Sequence, residues 1–149
     1  MRSSLPLIAA ILLAQLLSAE EHKPWNVGRL CGRVEHIRRI PDRHTPNNFS
    51  EKRKNLNDVS LSLFKVHEHE ACCEGLTPVD ATVTGKRGGF EFKTTVPGSY
   101  WISTYWNGKT AKVPVYYQPD KAPPTVCSEQ GLQLDDDGNA EWWIAVTVD

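Results

Sequence analysis

The chain has 149 residues, 40% of them hydrophobic, and a formal net charge of −1, which suits one ordinary domain with a real core and leaves no room for a second. That near-neutral balance speaks against nucleic acid as a partner. Basic residues gather between Arg33 and Lys54 and acidic ones between Asp135 and Glu141, a pattern of two solvated loops or of two binding patches.

Met1 and Arg2 precede an apolar run from Leu5 to Leu17, broken by Pro6 and Gln15, and small Ser18 and Ala19 lead into Glu20, Glu21, His22 and Lys23. A basic start, roughly a dozen apolar residues and a small residue before a charged stretch make a signal peptide. A membrane-spanning helix needs about 20 apolar residues. Cleavage after Ala19 predicts a leader over residues 1–19 and a domain over residues 20–149, secreted or periplasmic, with no integral membrane segment.

The first predicted strand runs from Val27 to Val34, with β-formers on alternate positions. Glu35 to Leu56 carries Pro41, Pro46, Asn47, Asn48 and many charges with little apolar periodicity, so it is expected to be a long loop. Within it, Asn48-Phe49-Ser50 forms a glycosylation sequon, meaningful in a eukaryotic source. From Asp58 to Val66, Val59, Leu61 and Leu63 alternate with Ser60 and Ser62. The apolar phase then passes to Phe64 and Val66, which predicts a bulge near Leu63 that turns Lys65, His67 and His69 to solvent.

Gly88-Gly89 leads into a strand with Phe90 and Phe92 facing the core, and Pro97-Gly98 is a turn. Tyr100, Ile102 and Thr104 then share one face of a strand, with Trp101, Ser103 and Tyr105 on the other. That strand ends at Asn107-Gly108, a strong short hairpin signal, so Lys109 to Tyr117 is its returning partner. Pro114 there demands an edge or a bulge. Gln118 to Asp137, with Pro119, Pro123 and Pro124, is expected to be a second long loop pinned by Cys127. Glu141 to Val148 forms the last strand, with Trp142, Ile144, Val146 and Val148 on one side and Trp143, Ala145 and Thr147 on the other. No helix is expected after the leader. The sum is an all-β chain, a single Greek-key-type β-sandwich of about seven strands with two long loops.

Cys31, Cys72, Cys73 and Cys127 are expected to be oxidised in an exported chain. Bridging sequence neighbours strains the link, so Cys72 and Cys73 are each expected to take a distant partner, Cys31 or Cys127, in either of the two arrangements. Such bridges, closing loops of roughly 40 to 55 residues, would stabilise the fold by a few kcal/mol each on a chain-entropy estimate.

The tract from Val83 through Gly85, Gly88, Gly89 and Phe90 to Phe92, followed by Val96-Pro97-Gly98-Ser99-Tyr100-Trp101-Ile102, resembles carboxypeptidase regulatory-like domains, the prealbumin-like modules of exported bacterial proteins. Gly32-Arg33-Val34 and the Val59-Leu61-Leu63 strand are similar to the opening strands of that family. The resemblance covers most of residues 28–116 and implies a bacterial source and a fold more than an activity. It also implies an accessory module with affinity for sugars, cell-wall material or a protein.

Two constellations suggest chemistry. His67 and His69 lie two apart, hence on one face of a strand, and could chelate a metal with Glu68, Glu70, His36 or His44 as a third ligand; a solvated strand end is the plainer reading. Trp101, Tyr105 and Trp143 fall on the side opposite the assumed core, and exposed aromatic rings form a platform for the apolar faces of sugars. No Cys-x-x-Cys, Gly-x-Ser-x-Gly or His-Glu-x-x-His motif occurs. The expected function is therefore a non-catalytic exported module, without a cofactor, binding a carbohydrate or an envelope protein. A metal-binding protein or metal-dependent enzyme using His67 and His69, and a purely structural envelope component, are the alternatives.

Overall fold

The computed structural model describes residues 24–45, 47–68, 70–94, 96–121 and 126–145. The expected leader and the end of the last expected strand, from Val146 to Val148, lie outside the described residues. The described chain is all-β. Its ten strands are β1 (Trp25–Val27), β2 (Cys31–Pro41), β3 (Phe49–Asn55), β4 (Ser60–Val66), β5 (Asp80–Val83), β6 (Gly89–Glu91), β7 (Gly98–Trp106), β8 (Lys109–Tyr117), β9 (Gln130–Leu134) and β10 (Ala140–Ile144). Among the described residues, two short 3-10 turns, Lys86–Gly88 and Cys127–Glu129, interrupt them.

The strands form two sheets in a sandwich-like arrangement. The first has the order β1-β8-β7-β4-β5, and the second β10-β9-β2-β3, with β6 also paired to β2. Period-2 alternation supplies the core between them. Leu61, Leu63, Tyr100, Ile102, Val113 and Val115 face inward from the first sheet, and Val34, Phe90, Leu132, Leu134 and Trp142 from the second. Each such side chain, fully withdrawn from water, contributes about 2 kcal/mol.

The β7–β8 hairpin follows the sequence closely. Asn107 and Gly108 both take left-handed backbone angles, φ 53° and 76°, as the tight hairpin turn requires. Nine cross-strand pairs follow, from Trp106↔Lys109 to Gly98↔Tyr117. Tyr100, Ile102 and Thr104 point into the core and Trp101, Ser103 and Tyr105 away from it, as the alternation predicts.

Elsewhere the structure departs from the expectations. The single strand from Val27 to Val34 is two strands in different sheets, because residues 28–30 cross between β1 and β2. No bulge falls near Leu63: β4 pairs with β7 without a break from Leu61↔Thr104 to Val66↔Ser99. Phe64 instead lies on the outer face opposite Trp101, half-buried. The supposed loop from Glu35 to Leu56 is a β-hairpin, with β2 and β3 paired from Glu35↔Asn55 to Pro41↔Phe49. Its side chains are charged on both faces, so backbone pairing builds it without apolar periodicity.

The second supposed loop contains β9, which pairs in parallel with β2 from Arg33↔Gly131 to His36↔Leu134. Glutamine and glycine disguise it in the sequence. Gln130 is wholly buried and its Nε2 donates to the carbonyls of Arg29 (3.0 Å) and Cys31 (2.8 Å). Where β2 and β9 meet, glycine is needed on both: a Cβ on Gly131 would overlap the Arg33 backbone, and one on Gly32 would lie 2.7 Å from the Gln130 carbonyl oxygen.

The disulfide pairing also differs from the expectation. Cys31, buried at the start of β2, is bonded to Cys127, whose Cα lies 5.3 Å away, within the span of a disulfide. Cys127 opens the turn that feeds β9, so pairing of β9 with β2 brings the two cysteines together. With Cys31 and Cys127 joined, Cys72 has Cys73 as its partner. One bridge therefore ties distant parts of the chain, where two were expected.

Candidate functional site

Strand β1 is three residues long and pairs only with the last part of β8, Trp25↔Val115 to Val27↔Tyr117. Among the described residues, the β8 edge from Lys109 to Pro114 has no neighbouring strand. Pro114, which cannot donate to a ladder, sits in that uncovered stretch, as its chemistry demands. Along it runs a groove of about 980 Å³, whose lining includes Trp25, Trp101 and Lys112 from the first sheet, and Arg38, Asp137 and Glu141 from the second sheet and its β9–β10 turn.

The acidic side is the turn between β9 and β10, and its carboxylates have different occupations. Asp135 holds the turn together: Oδ1 accepts from the N–H groups of Asp137 and Asn139, and Oδ2 from the side-chain amide of Asn139, all at 2.9–3.0 Å. Partial burial pushes the Asp135 carboxyl up, but those hydrogen bonds and the Lys109 ammonium outweigh it and hold the group below its ordinary range. Asp136 accepts from Nε2 of His36 at 2.8 Å, and the His36 ring packs on Trp106, 4.9 Å between centroids. Asp137 and Glu141 have no ion pair among the described residues, and they face the groove with Gln133 and Asn139 beside them.

On the cationic side Lys112 is already engaged. Its Nζ lies 5.6 Å from the centre of the Trp101 ring and donates to the Cys72 carbonyl at 3.1 Å. The Trp101 indole N–H donates to the Glu70 carbonyl at 2.9 Å. Together these contacts fasten the segment after β4 over the outer face of the first sheet. Arg38 has no carboxylate partner among the described residues, and its cross-strand neighbour is Lys52.

The expected aromatic platform is divided between two surfaces. Trp101 and Tyr105 lie on the outer face of the first sheet, Trp101 half-covered and Tyr105 71% exposed. Trp143 lies on the outer face of the second sheet, where the Arg33 guanidinium sits 5.2 Å from its ring centre. Arg33, Gly131 and Trp143 are adjacent across three strands, so the absent side chain of Gly131 leaves Arg33 room to reach the indole. Arg33 also pairs with Glu35 at 3.5 Å, an ion pair of which the carboxylate is nearly buried.

His69 lies outside the described residues. His67 follows β4 and is exposed; its backbone N–H donates to the Glu70 carboxylate at 2.8 Å, so Glu70 serves as the cap of that turn. His36 stands near Trp106 at the end of β7, whereas β4 ends opposite Ser99 near its start. Seven strand residues separate those positions, roughly 23 Å, so His36 is not brought to His67. His44 lies at the tip of the β2–β3 hairpin, where its backbone N–H donates to Asp42. No group of three or more histidine, cysteine, aspartate or glutamate side chains is placed to hold a metal among the described residues.

Sequence reasoning passed over Trp25, which lines the groove and is 46% exposed. A three-residue strand shows no period, and the only signal was an apolar ring placed just after the charged stretch Glu20 to Lys23. It also passed over the free Asp137 and Glu141, because an acidic run reads as a solvated turn until a facing strand gives it a wall. No protein-family model and no curated protein matches the chain.

Proposed function

We propose that the chain is an exported, non-catalytic β-sandwich of Greek-key type, akin in fold to carboxypeptidase regulatory-like domains, that binds a carbohydrate at the cell envelope or beyond it. The observation that carries this reading is the groove beside β8, whose lining combines the exposed Trp25 with Asp137, Glu141 and Asn139. A sugar offers an apolar face to an indole and hydroxyls to carboxylates and amides, so one ligand satisfies both walls. Export is supported by the leader pattern and by the Cys31–Cys127 bridge, which persists in oxidising compartments. No helix of the described residues is long and apolar enough to cross a membrane.

Titration of tryptophan fluorescence against a panel of neutral and acidic oligosaccharides tests it. Binding should weaken at least about tenfold in Trp25→Ala, the loss of one buried aromatic anchor, and should be unchanged in Tyr105→Ala. Equal affinity in Trp25→Ala and the parent chain would remove the groove from the site. Release of a shortened sugar during the titration would overturn the non-catalytic part, and saturable binding only to an envelope protein would replace the ligand class.

A further inference from the structure

We propose that Asn48 is an N-glycosylation acceptor at the tip of the β2–β3 hairpin, a modification that rests on the export reading above. Asn48-Phe49-Ser50 has the acceptor pattern with no proline in the middle, and it occurs once in the chain. The fold puts it where an oligosaccharide can stand. The Asn48 backbone is fixed, its N–H donating to the Thr45 carbonyl and its own carbonyl accepting from the Asp42 N–H, both at 2.9 Å. Its side-chain amide has no partner among the described residues. Asn48, Phe49 and Ser50 are all exposed.

The surroundings suit a first sugar. A shallow hollow of about 470 Å³ at the hairpin tip is lined by Ile40, Pro41, His44 and Phe49 as well as Asn48 itself. The Phe49 ring, 60% exposed, is an otherwise unexplained apolar surface at this tip, and a sugar ring attached next to it would cover it. The gain is also structural. β3 is the edge of its sheet, and a bulky polar group at its start bars edge-to-edge pairing with a second chain.

In the transfer, the Asn48 amide nitrogen forms a bond to the anomeric carbon of an oligosaccharide carried on a polyprenyl diphosphate. The anomeric carbon–oxygen bond breaks, the diphosphate leaves with the electron pair, and the amide proton passes to a base of the transferase. Nothing is oxidised or reduced. The transferase belongs to the secretory route of eukaryotic cells, so the proposal sets aside the bacterial source that the family resemblance implies.

The full chain, with its own leader, is expressed in a eukaryotic secreting cell, and the secreted protein is weighed intact before and after peptide-N-glycosidase. The expected result is the mature polypeptide plus one oligosaccharide, removed by the enzyme, and absent from both Asn48→Gln and Ser50→Ala. Circular dichroism of the two variants should match that of the parent, since neither side chain is buried. Secreted protein lacking the added mass overturns the glycosylation alone. Protein kept inside the cell with residues 1–19 uncleaved overturns the export reading, and the glycosylation with it. Added mass that persists in Asn48→Gln assigns the sugar to another residue and also overturns it.

Discussion

Strand β2 can be divided into two regions with opposite physics. From Cys31 to Glu35 it is nearly all buried, flanked by β6 on one side and β9 on the other. Beyond Ile37 its only described neighbour is β3, and Arg38, Arg39 and Pro41 are exposed. Side chains specify the first region: Val34 enters the core, and glycines allow the close approach of β9. The second is held by backbone pairing and by its turn, in which Asp42 accepts from the His44 N–H and the Thr45 hydroxyl. Those bonds, the His44 one foremost, hold the Asp42 carboxyl below its ordinary range. Substitutions should therefore be costly in the first region and nearly free in the second, which leaves the ribbon open to carry function.

The largest expected effect comes from the bridge that anchors the buried region. Cys31 and Cys127 are 96 residues apart in sequence, and opening a loop of that size costs about 4.7 kcal/mol on the chain-entropy estimate. The double replacement Cys31→Ser with Cys127→Ser should lower the denaturant midpoint accordingly, whereas the bond between neighbours Cys72 and Cys73 closes no long loop, so Cys72→Ser with Cys73→Ser should change it little. Equal losses would mean that the long-range bridge does not constrain the unfolded chain.

Next in size is the close approach of β2 and β9. Gly131→Ala drives a methyl group into the Arg33 backbone, and overpacking that the surroundings cannot relieve costs about 3 kcal/mol. A loss below about 0.5 kcal/mol, the range of surface substitutions, would show that the parallel β2–β9 register is wrong.

How far the sequence exposes these two regions follows from which forces build them. The β7–β8 hairpin, the inward faces of Leu61, Leu63 and Phe90, and the edge position of Pro114 were legible because apolar alternation and turn chemistry are local signals. β3 and β9 were not. Ser50, Glu51, Lys52, Arg53 and Lys54 show no alternation, and β9 owes its place to Gln130 clamping two carbonyls and to glycines 32 and 131, which have meaning only once both strands are present. Thr84 is similar: its buried hydroxyl donates to the Leu56 carbonyl at 2.7 Å and accepts from the Val59 N–H at 2.9 Å. The aromatic residues were recognised as candidates, but parity within one strand does not tell which of two sheets a face belongs to, so Trp143 was grouped with Trp101 across the core.

The acidic turn between the two regions gives a smaller, pH-dependent effect. The Asp135 carboxyl is depressed in the folded chain relative to the unfolded one, so its contribution is present above the unfolded value and is lost as pH falls through the folded one. Stability should therefore decline below about pH 4. Asp135→Asn keeps one acceptor oxygen but removes the charge facing Lys109. Because the site is partly solvated, the cost at pH 7 should be about 0.5 kcal/mol. Melting curves from pH 7 to pH 3 should converge for the two proteins; parallel curves would mean that Asp135 does not carry the acid sensitivity.

The smallest effect should have the opposite sign, and that makes it the sharpest test of the ribbon. Arg38 and Lys52 stand directly across from each other, and like charges in directly opposite positions weaken a sheet. Arg38 has no carboxylate partner among the described residues. Arg38→Glu turns its pair into an attractive one and should stabilise the chain by about 0.5 kcal/mol at low salt, with the gain shrinking as salt is added because the pair is exposed. A stabilisation that does not respond to salt would have another origin. A destabilisation above about 1 kcal/mol would show that Arg38 is structural after all, and that β2 does not divide at Ile37 into a specified half and a permissive one.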